Sequence, residues 1–314
     1  MNLKKYFNNP SLILLKLDRM GIRLLSDEKF VKIVYKNYFN KELNLEEPKT
    51  FNEKIQWLKL NDRKDIYTTM VDKYEAKEYV ANIIGKEYII PTLGIYNKFS
   101  DIDFNELPEQ FVIKCTHDSG SIIVVKDKKN INTKEMKRKI NKSLRKNFYY
   151  RYREWPYKNI KPRIIVEKYM EDKKYHELRD YKVYALNGRC DYLMLCFDRN
   201  SDETKFVFFD RDWNIKKEFT NAGIKYGDKL CITKPKTVDK MFEFASILSK
   251  NIPFVRVDFY EVNGKCYFGE LTFYPSSGFD TNRRKESDEF FSSQLIINKN
   301  KGEINERIGI YKKS

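Results

Sequence analysis

Histidine is nearly missing from this chain of 314 residues: His117 and His176 are the two it has. That scarcity leaves a histidine-based zinc site or a Ser-His-Asp hydrolase without its parts. Cysteine is sparse too. Residues 115, 190, 196, 231 and 266 form no C-x-x-C pair, so they read as free thiols of a reducing cytoplasm rather than a disulfide or metal framework. Cys115, in a polar loop, is open to two readings, a reactive thiol or a packing residue, and packing is preferred. Long apolar runs are lacking, so no segment is expected to span a bilayer. Near the start, Lys4 and Lys5 precede Leu12-Ile-Leu-Leu15, but Lys16 breaks the run and no small-residue cleavage site follows. A secretory signal is therefore not expected. Internal repeats, low-complexity linkers and familiar nucleic-acid modules are also absent from the pattern.

Charge and aromatic rings are what the chain has in quantity. Charged residues make up 34% and aromatics 15%, with a net charge of +16. This is the composition of a soluble globular protein with an anionic partner: nucleic acid, anionic lipid, nucleotide or acidic glycan. The bland account is lysine spread over solvated faces. Two stretches concentrate the charge. Residues 134–146 place Met136, Ile140 and Leu144 at helical spacing among lysines and arginines, an amphipathic helix. Phe148-Tyr-Tyr-Arg-Tyr-Arg153-Glu-Trp-Pro-Tyr157 alternates rings with guanidinium groups. Such a surface stacks on bases or on sugar rings, while arginine grips carboxylate or phosphate.

Acids inside apolar strands carry the most information. Phe254-Val-Arg-Val-Asp258-Phe-Tyr alternates, Asn263-Gly264 supplies a tight turn, and residues 265–273 return through Gly269-Glu270-Leu-Thr272. This predicts a β-hairpin with Asp258 and Glu270 on opposite arms. A buried acid needs its desolvation offset. Oxygen donors on a rigid hairpin suit Mg²⁺, which takes few protein carboxylates and fills its shell with water and phosphates. The bland reading is one solvent-facing acid per strand. Arg256 shares a strand face with Asp258 and either stabilises an acyl phosphate or pairs with an acid.

Upstream, Phe111-Val-Ile-Lys114 is a short apolar strand closed by a lysine. Cys115-Thr-His-Asp-Ser-Gly-Ser121 follows as a polar loop, and residues 122–126 form the next strand, closed by Lys126. Backbone N–H groups of Asp118, Ser119, Gly120 and Ser121 can wrap a phosphate; the bland reading is an ordinary turn. Residues 163–171 form another apolar strand, then Glu167-Lys168-Tyr169-Met170-Glu171, the form of a hinge whose backbone can pair with a purine edge.

This order of motifs resembles the ATP-grasp superfamily. Thr50-Phe-Asn-Glu-Lys-Ile-Gln-Trp-Leu58, Asp72-Lys-Tyr74, Arg153-Glu-Trp-Pro-Tyr157 and Gly269-Glu-Leu-Thr-Phe-Tyr-Pro275 look like its TupA-like family. That family is associated with bacterial cell-surface polysaccharide and teichuronopeptide synthesis, and the resemblance spans roughly residues 48–280. It implies an α+β ATP-grasp fold, two α+β lobes gripping the nucleotide after an N-terminal helical region. The expected divisions are residues 1–109, a small lobe at 110–171 and a large lobe at 172–314. A capping box at Thr50 and Glu53 starts one helix, residues 72–84 form another, Pro91–Tyr96 returns as a strand, and a helix occupies 237–250. Residues 1–47 are expected to be a packed helical cap, with a membrane-surface contact as the alternative.

The resemblance also implies roles. ATP and Mg²⁺ are the expected cofactors, with the metal on Asp258, Glu270 and Thr272. Many ATP-grasp enzymes have Asn where Thr272 stands, and a threonine hydroxyl is a poorer metal ligand. Lys73, Lys114 and Lys126 face phosphates, although Lys73 also reads as a surface helical lysine. Glu167 and Glu171 hold the exocyclic amine and ribose, and backbone groups of Lys168 and Met170 meet adenine beside Tyr169. Lys182 neutralises the γ-phosphate or pairs with Asp180. Arg256 and Lys182 are the expected catalytic cations, and His117 touches phosphate or the acyl group. Arg151, Arg153 and Trp155, with Ser276 and Ser277, are the expected substrate contacts. The implied activity is a carboxylate–amine ligase acting through an acyl phosphate. It would join a uronic-acid carboxylate of an acidic glycan, or of its lipid-linked precursor, to an amino acid or other amine, in the cytoplasm and without nucleic acid. Three other classes stay open. A glycosyltransferase would use Asp101-Ile-Asp103 or Asp210-Arg-Asp212, although both look like turns. A glycan kinase would share the ATP site and need no amine. A non-catalytic polyanion-binding protein would show no ATP hydrolysis.

Overall fold

The computed structural model describes residues 11–199 and 203–297. Lys4 and Lys5, and the part of the C-terminal tail after residue 297, lie outside these described residues. The N-terminal helices are α1 (Ser11–Leu17), α2 (Asp27–Phe39), α3 (Phe51–Asn61), α4 (Ile66–Val71) and α5 (Glu75–Ile84). Phe30, Val31, Val34 and Tyr35 of α2 pack against Leu15, Leu43 and Phe279, the packed cap that the apolar spacing predicts. Thr50 and Glu53 form the expected reciprocal capping box at the start of α3. Among the described residues no helix is long and apolar enough to cross a membrane.

The strands form two antiparallel sheets. The smaller joins β1 (Thr92–Tyr96), β2 (Phe111–Cys115), β3 (Ile123–Val125) and β4 (Ile164–Lys168) in the order β1-β4-β2-β3. Strand β1 thus belongs to this sheet, pairing with β4 from Thr92 to Tyr96, although it precedes the boundary expected at residue 110. Sequence order separates β1 from its partner; the β4 register brings them together. Helix α6 (Thr133–Leu144) covers the sheet through Met136 and Ile140, and the short helix α7 (Tyr149–Tyr152) follows.

The larger sheet runs β7 (Lys205–Asp210), β6 (Arg189–Phe197), β5 (Asp180–Leu186), β8 (Phe254–Val262) and β9 (Lys265–Thr272). Helix α8 (Asn221–Tyr226) packs at β7, helix α9 (Val238–Leu248) packs on one face, and α10 (Lys285–Gln294) closes against α3. Val255, Val257 and Phe259 of β8 are buried in the main core with Phe242 and Ala245 of α9. Alternation therefore turns Arg256, Asp258 and Tyr260 to the opposite face. The β8–β9 turn is the expected Asn263-Gly264 pair, with φ of 52° and 75°, the double left-handed geometry of a tight hairpin. Near the other end the register passes from Asp258↔Glu270 to Phe259↔Phe268. Gly269 is the extra residue of this bulge. A Cβ there would sit 2.9 Å from the Asp258 carbonyl oxygen, so the arms approach closely only with glycine.

Candidate functional site

Antiparallel register assembles the site in rows. Lys182 of β5 lies opposite Asp258 of β8, which lies opposite Glu270 of β9. The next row is Tyr184, Arg256 and Thr272. Asp258 is buried and takes a bidentate grip from Arg256, with Nε to Oδ1 and Nη2 to Oδ2 both at 2.6 Å. Lys182 Nζ donates to the same carboxylate at 2.5 Å and also to Asp180. Arg199 Nη2 adds a second donor to Asp180 at 2.5 Å. Burial opposes charge on Asp258, but Arg256 and Lys182 prevail and hold its pKa below the usual value. Likewise burial would discharge Lys182, yet Asp258 and Asp180 keep its pKa raised. Lys182 and Arg256 thus both pair with acids, one of the two readings open to each, and they stand in and beside the row of the expected metal acids.

The carboxylate of Glu270 is different. Its side chain is 48% exposed and stands 3.6 Å from Arg256 Nη2. Thr272 Oγ1 donates to it at 3.3 Å and accepts from Arg256 at 3.1 Å. Among the described residues no cluster of three or more His, Cys, Asp or Glu side chains could hold a metal unaided. The donor set fits a hard cation that takes one or two carboxylates from protein and the rest from phosphate and water. Asp258, Glu270 and Thr272 are the oxygens available, with Glu270 the open acceptor.

Two cavities lie close to this row, one lined by Gly269 and the other by its neighbour Glu270. The first is lined by β2–β4 and the hinge: Lys114, Lys126, Tyr169 and Met170, with Tyr260 and Gly269 across the cleft. Lys114 donates to Glu167 at 2.5 Å, and Lys77 takes the other carboxylate oxygen. Burial alone would raise the Glu167 pKa, but Lys114 and Lys77 bring it below the usual value. Glu167, expected to meet the adenine amine, is instead the counter-ion of two lysines. The Lys168 N–H donates to the Pro91 carbonyl at 3.0 Å, so that backbone donor is also committed. Glu171 lies at the rim, accepting from Tyr169 at 3.0 Å and from Lys126 at 3.3 Å.

The second cavity, of about 360 Å³, holds Lys73, Ser119, Arg151, Arg256, Glu270 and Thr272, with Ser276 and Ser277 on one wall. Lys73 is half-buried and donates to the Asp118 carbonyl, not a solvated surface lysine. Burial lowers its pKa, with Glu270 opposing. Asp118 turns inward: Ser121 Oγ donates to it at 2.6 Å and Ser143 Oγ to its other oxygen. These two bonds shape the loop and leave Ser119 and Gly120 exposed at its tip.

Three expected contacts lie elsewhere. His117 is buried, its Nε2 facing the carbonyls of Ser143 at 3.2 Å and Lys146 at 3.0 Å. It anchors the loop to the end of α6 rather than facing an acyl group. Arg153 is 2% exposed and paired with Asp18 and Asp27, because its left-handed backbone turns the guanidinium into the helical cap. Trp155 is half-buried in the turn Trp155–Tyr157, while its neighbours Glu154 and Tyr157 line the cavity. Asp101, Asp103 and Asp210 accept backbone N–H groups of their own turns.

Sequence alone missed Lys77, Lys59 and Glu154. The signal for Lys77 was its place on the buried face of α5 with Ala76, Val80 and Ile84. Lys59 is fully buried behind the Tyr152 and Ser277 backbone of the second cavity. It donates to Gln56 Oε1 at 2.8 Å and to the carbonyls of Ser277 at 2.7 Å and Tyr152 at 3.1 Å. Burial pushes its pKa down to about 7, with Glu154 and Asp27 opposing. An unfolded lysine titrates near 10.5. Between those values the unfolded chain binds the extra proton, so stability rises with pH across this window. Lys59→Met should remove that rise. The wild type gains on the variant by up to about 1.4 kcal/mol per pH unit between about pH 7 and 10. Urea unfolding at several pH values checks this; parallel curves would mean that Lys59 stays charged in the fold.

The sequence profile of the TupA-like ATPgrasp family matches residues 53–296. No match was found among curated proteins. Among solved structures, the ATP-grasp ligase PsnB complexed with minimal precursor aligns at 10% identity over 73% of this chain and 60% of that chain, with a TM-score of 0.40. D-alanine–D-alanine ligase from Helicobacter pylori aligns at 13% identity over 78% of this chain and 69% of that one, with a TM-score of 0.42. The D-cycloserine synthetase DcsG aligns at 12% identity over 73% and 70%, with a TM-score of 0.40. The chain thus spans about 60% of the length of PsnB.

Proposed function

The chain belongs to the TupA-like ATP-grasp family, and from that premise we propose that it joins a carboxylate to an amine by way of an acyl phosphate, at the expense of ATP. The observation that supports this most is the row Lys182–Asp258–Glu270, with Arg256 and Thr272 beside it, where Glu270 lines one cavity and the adjacent Gly269 the other. Tyr169 and Met170 would meet the nucleotide base, and Lys114 would meet its phosphates. Asp258, Glu270 and Thr272 would hold Mg²⁺, which would offset charge on the phosphates.

The substrate carboxylate enters the second cavity. Its oxygen bonds to the γ-phosphorus as the bond to the β-phosphate oxygen breaks, releasing ADP. Lys73, Lys182 and Arg256 share the developing charge. The exposed Ser119-Gly120 tip covers the intermediate and excludes water. A neutral amine then bonds to the carbonyl carbon. The C–O bond to phosphate breaks, the nitrogen gives up a proton, and inorganic phosphate leaves. The aromatic and cationic wall, with the net charge of +16, favours a uronic-acid carboxylate of a surface glycan or precursor, with an amino acid or related amine as partner. Dependence on ATP places the reaction in the cytoplasm, at or near the inner face of the membrane if the precursor is lipid-linked.

Calorimetric titration with ATP, with and without Mg²⁺, tests the reading. Binding should be at least about tenfold tighter with the metal, which is about 1.4 kcal/mol. Hydroxylamine added with a uronic acid should then trap a hydroxamate and release ADP. No ATP binding under either condition would sink the ligase reading. A phosphorylated sugar without hydroxamate would make the protein a kinase.

A further inference from the structure

A third cavity continues from the reaction pocket. It lies between the Asp118–Ser121 loop and the end of α6, and it shares Ser119, Phe148 and Arg151 with the reaction pocket. Lys139, Lys142 and Lys146 line its outer part and are exposed. Their spacing of three and four residues puts them on one side of the helix and its extension. The rise of about 1.5 Å per residue spreads them over roughly 10 Å. Lys139 is partly used, donating to the Ile122 carbonyl at 2.7 Å. Lys142, Lys146 and Arg151 have no carboxylate at ion-pair distance among the described residues. The one acid in the lining, Asp118, is turned onto Ser121 and Ser143.

Like charges held together without counter-ions repel, and that cost is removed when an anion arrives. One phosphate or carboxylate would not span the row. An extended chain with repeated negative charges would, and one end of it would lie at Arg151 in the reaction pocket. Phe148 at the junction, with Tyr152 and Tyr157 further in, adds aromatic rings to the charged groups of this lining, a mixture that suits sugar rings bearing carboxylates.

We propose that this lysine-lined groove binds a linear polymer of carboxylate-bearing sugars, holding the units that neighbour the one whose carboxylate enters the reaction pocket. The inference rests on the carboxylate-activating reading above, because that reading sets which group must reach Arg151. Lys142 and Lys146 are positioning groups. They touch neither the reacting carboxylate nor the nucleotide.

The test uses the full chain and polygalacturonate as a linear polyuronate, with binding measured at low and moderate salt. Lys142→Glu/Lys146→Glu should weaken binding at least tenfold and flatten its salt dependence. Lys236→Glu/Lys265→Glu, near the β8–β9 turn, makes the same change in net charge and should stay within about twofold of wild type, as expected for charges outside the groove. Equal losses in both variants would show general charge attraction and overturn the site. Absence of polygalacturonate binding would overturn it too. Binding of polyuridylate with equal strength and the same variant sensitivity would replace the glycan with nucleic acid. A MgATP titration of the same samples separates this inference from the ligase reading. If polymer binding depends on the groove while MgATP fails to bind, the groove stands and the ligase reading falls. If MgATP binds normally and polymer binding ignores the groove, the reverse holds.

Discussion

Glu270→Gln should slow ADP release by about 10²–10³-fold, the effect of removing one preorganised electrostatic group, while stability moves by no more than about 0.5 kcal/mol, as for an exposed position. The reason is the asymmetry between two acids that sit opposite each other in register. Glu270 is half exposed and its nearest cation is 3.6 Å away. Its charge is therefore available to a ligand and contributes little to the fold. Asp258 is buried and binds both Arg256 and Lys182. Asp258→Asn should lose activity as well, but it also leaves buried cations short of a partner, at about 3–5 kcal/mol. Sequence alone would predict an intact fold for that variant. Thermal unfolding of both variants, beside an ADP-release assay and MgATP titration, separates these roles. Full activity in Glu270→Gln would remove the metal site. Equal stability losses would mean that the two acids are not divided in this way.

The second large effect is expected at Glu167. Its carboxylate is buried and is the ion-pair partner of both Lys77 and Lys114. Glu167→Gln should cost about 3–5 kcal/mol, because Lys77 would keep only the Ile90 carbonyl at 2.8 Å and Thr92 Oγ1 at 3.1 Å. MgATP affinity should also fall at least about tenfold, or 1.4 kcal/mol, since Glu167 fixes Lys114 at the cavity proposed for the nucleotide. Adding Lys77→Met to Glu167→Gln removes the stranded ammonium. Much of the stability should return, as replacing a buried ion pair with apolar groups is often near neutral. Nucleotide affinity should stay low. If the double variant recovers both, Glu167 acts on the nucleotide only through stability. If it recovers neither, the Lys77 charge is not what the acid offsets.

Glu167 also shows how far the residues alone could lead. Its position at the end of an apolar strand, before Tyr169-Met170, was legible from local pattern. So were the strand at Lys114, the loop at 115–121, the capping box at Thr50 and the Asn263-Gly264 hairpin. Each depends on contacts within a few residues. The counter-ion of Glu167 was not legible, because Lys77 lies on a helix far upstream in sequence. Arg153 failed for the same reason. Its motif interleaves rings and arginines, which suggests an exposed binding strip, but a left-handed backbone at 153 turns that arginine inward to Asp18 and leaves Arg151 at the pocket.

The sequence by itself determined many of the local elements and, through the order of its motifs, the family. Alternation, turn chemistry and capping act over short separations and leave a readable period. Only the tertiary structure decided which charges meet. Lys182 and Asp258, 76 residues apart, bond because β5 and β8 pair in one register. A slip of one residue between the strands would send one of the two to the other face. Pairings of that kind are set by how the whole sheet buries its core, so no window of the sequence contains them.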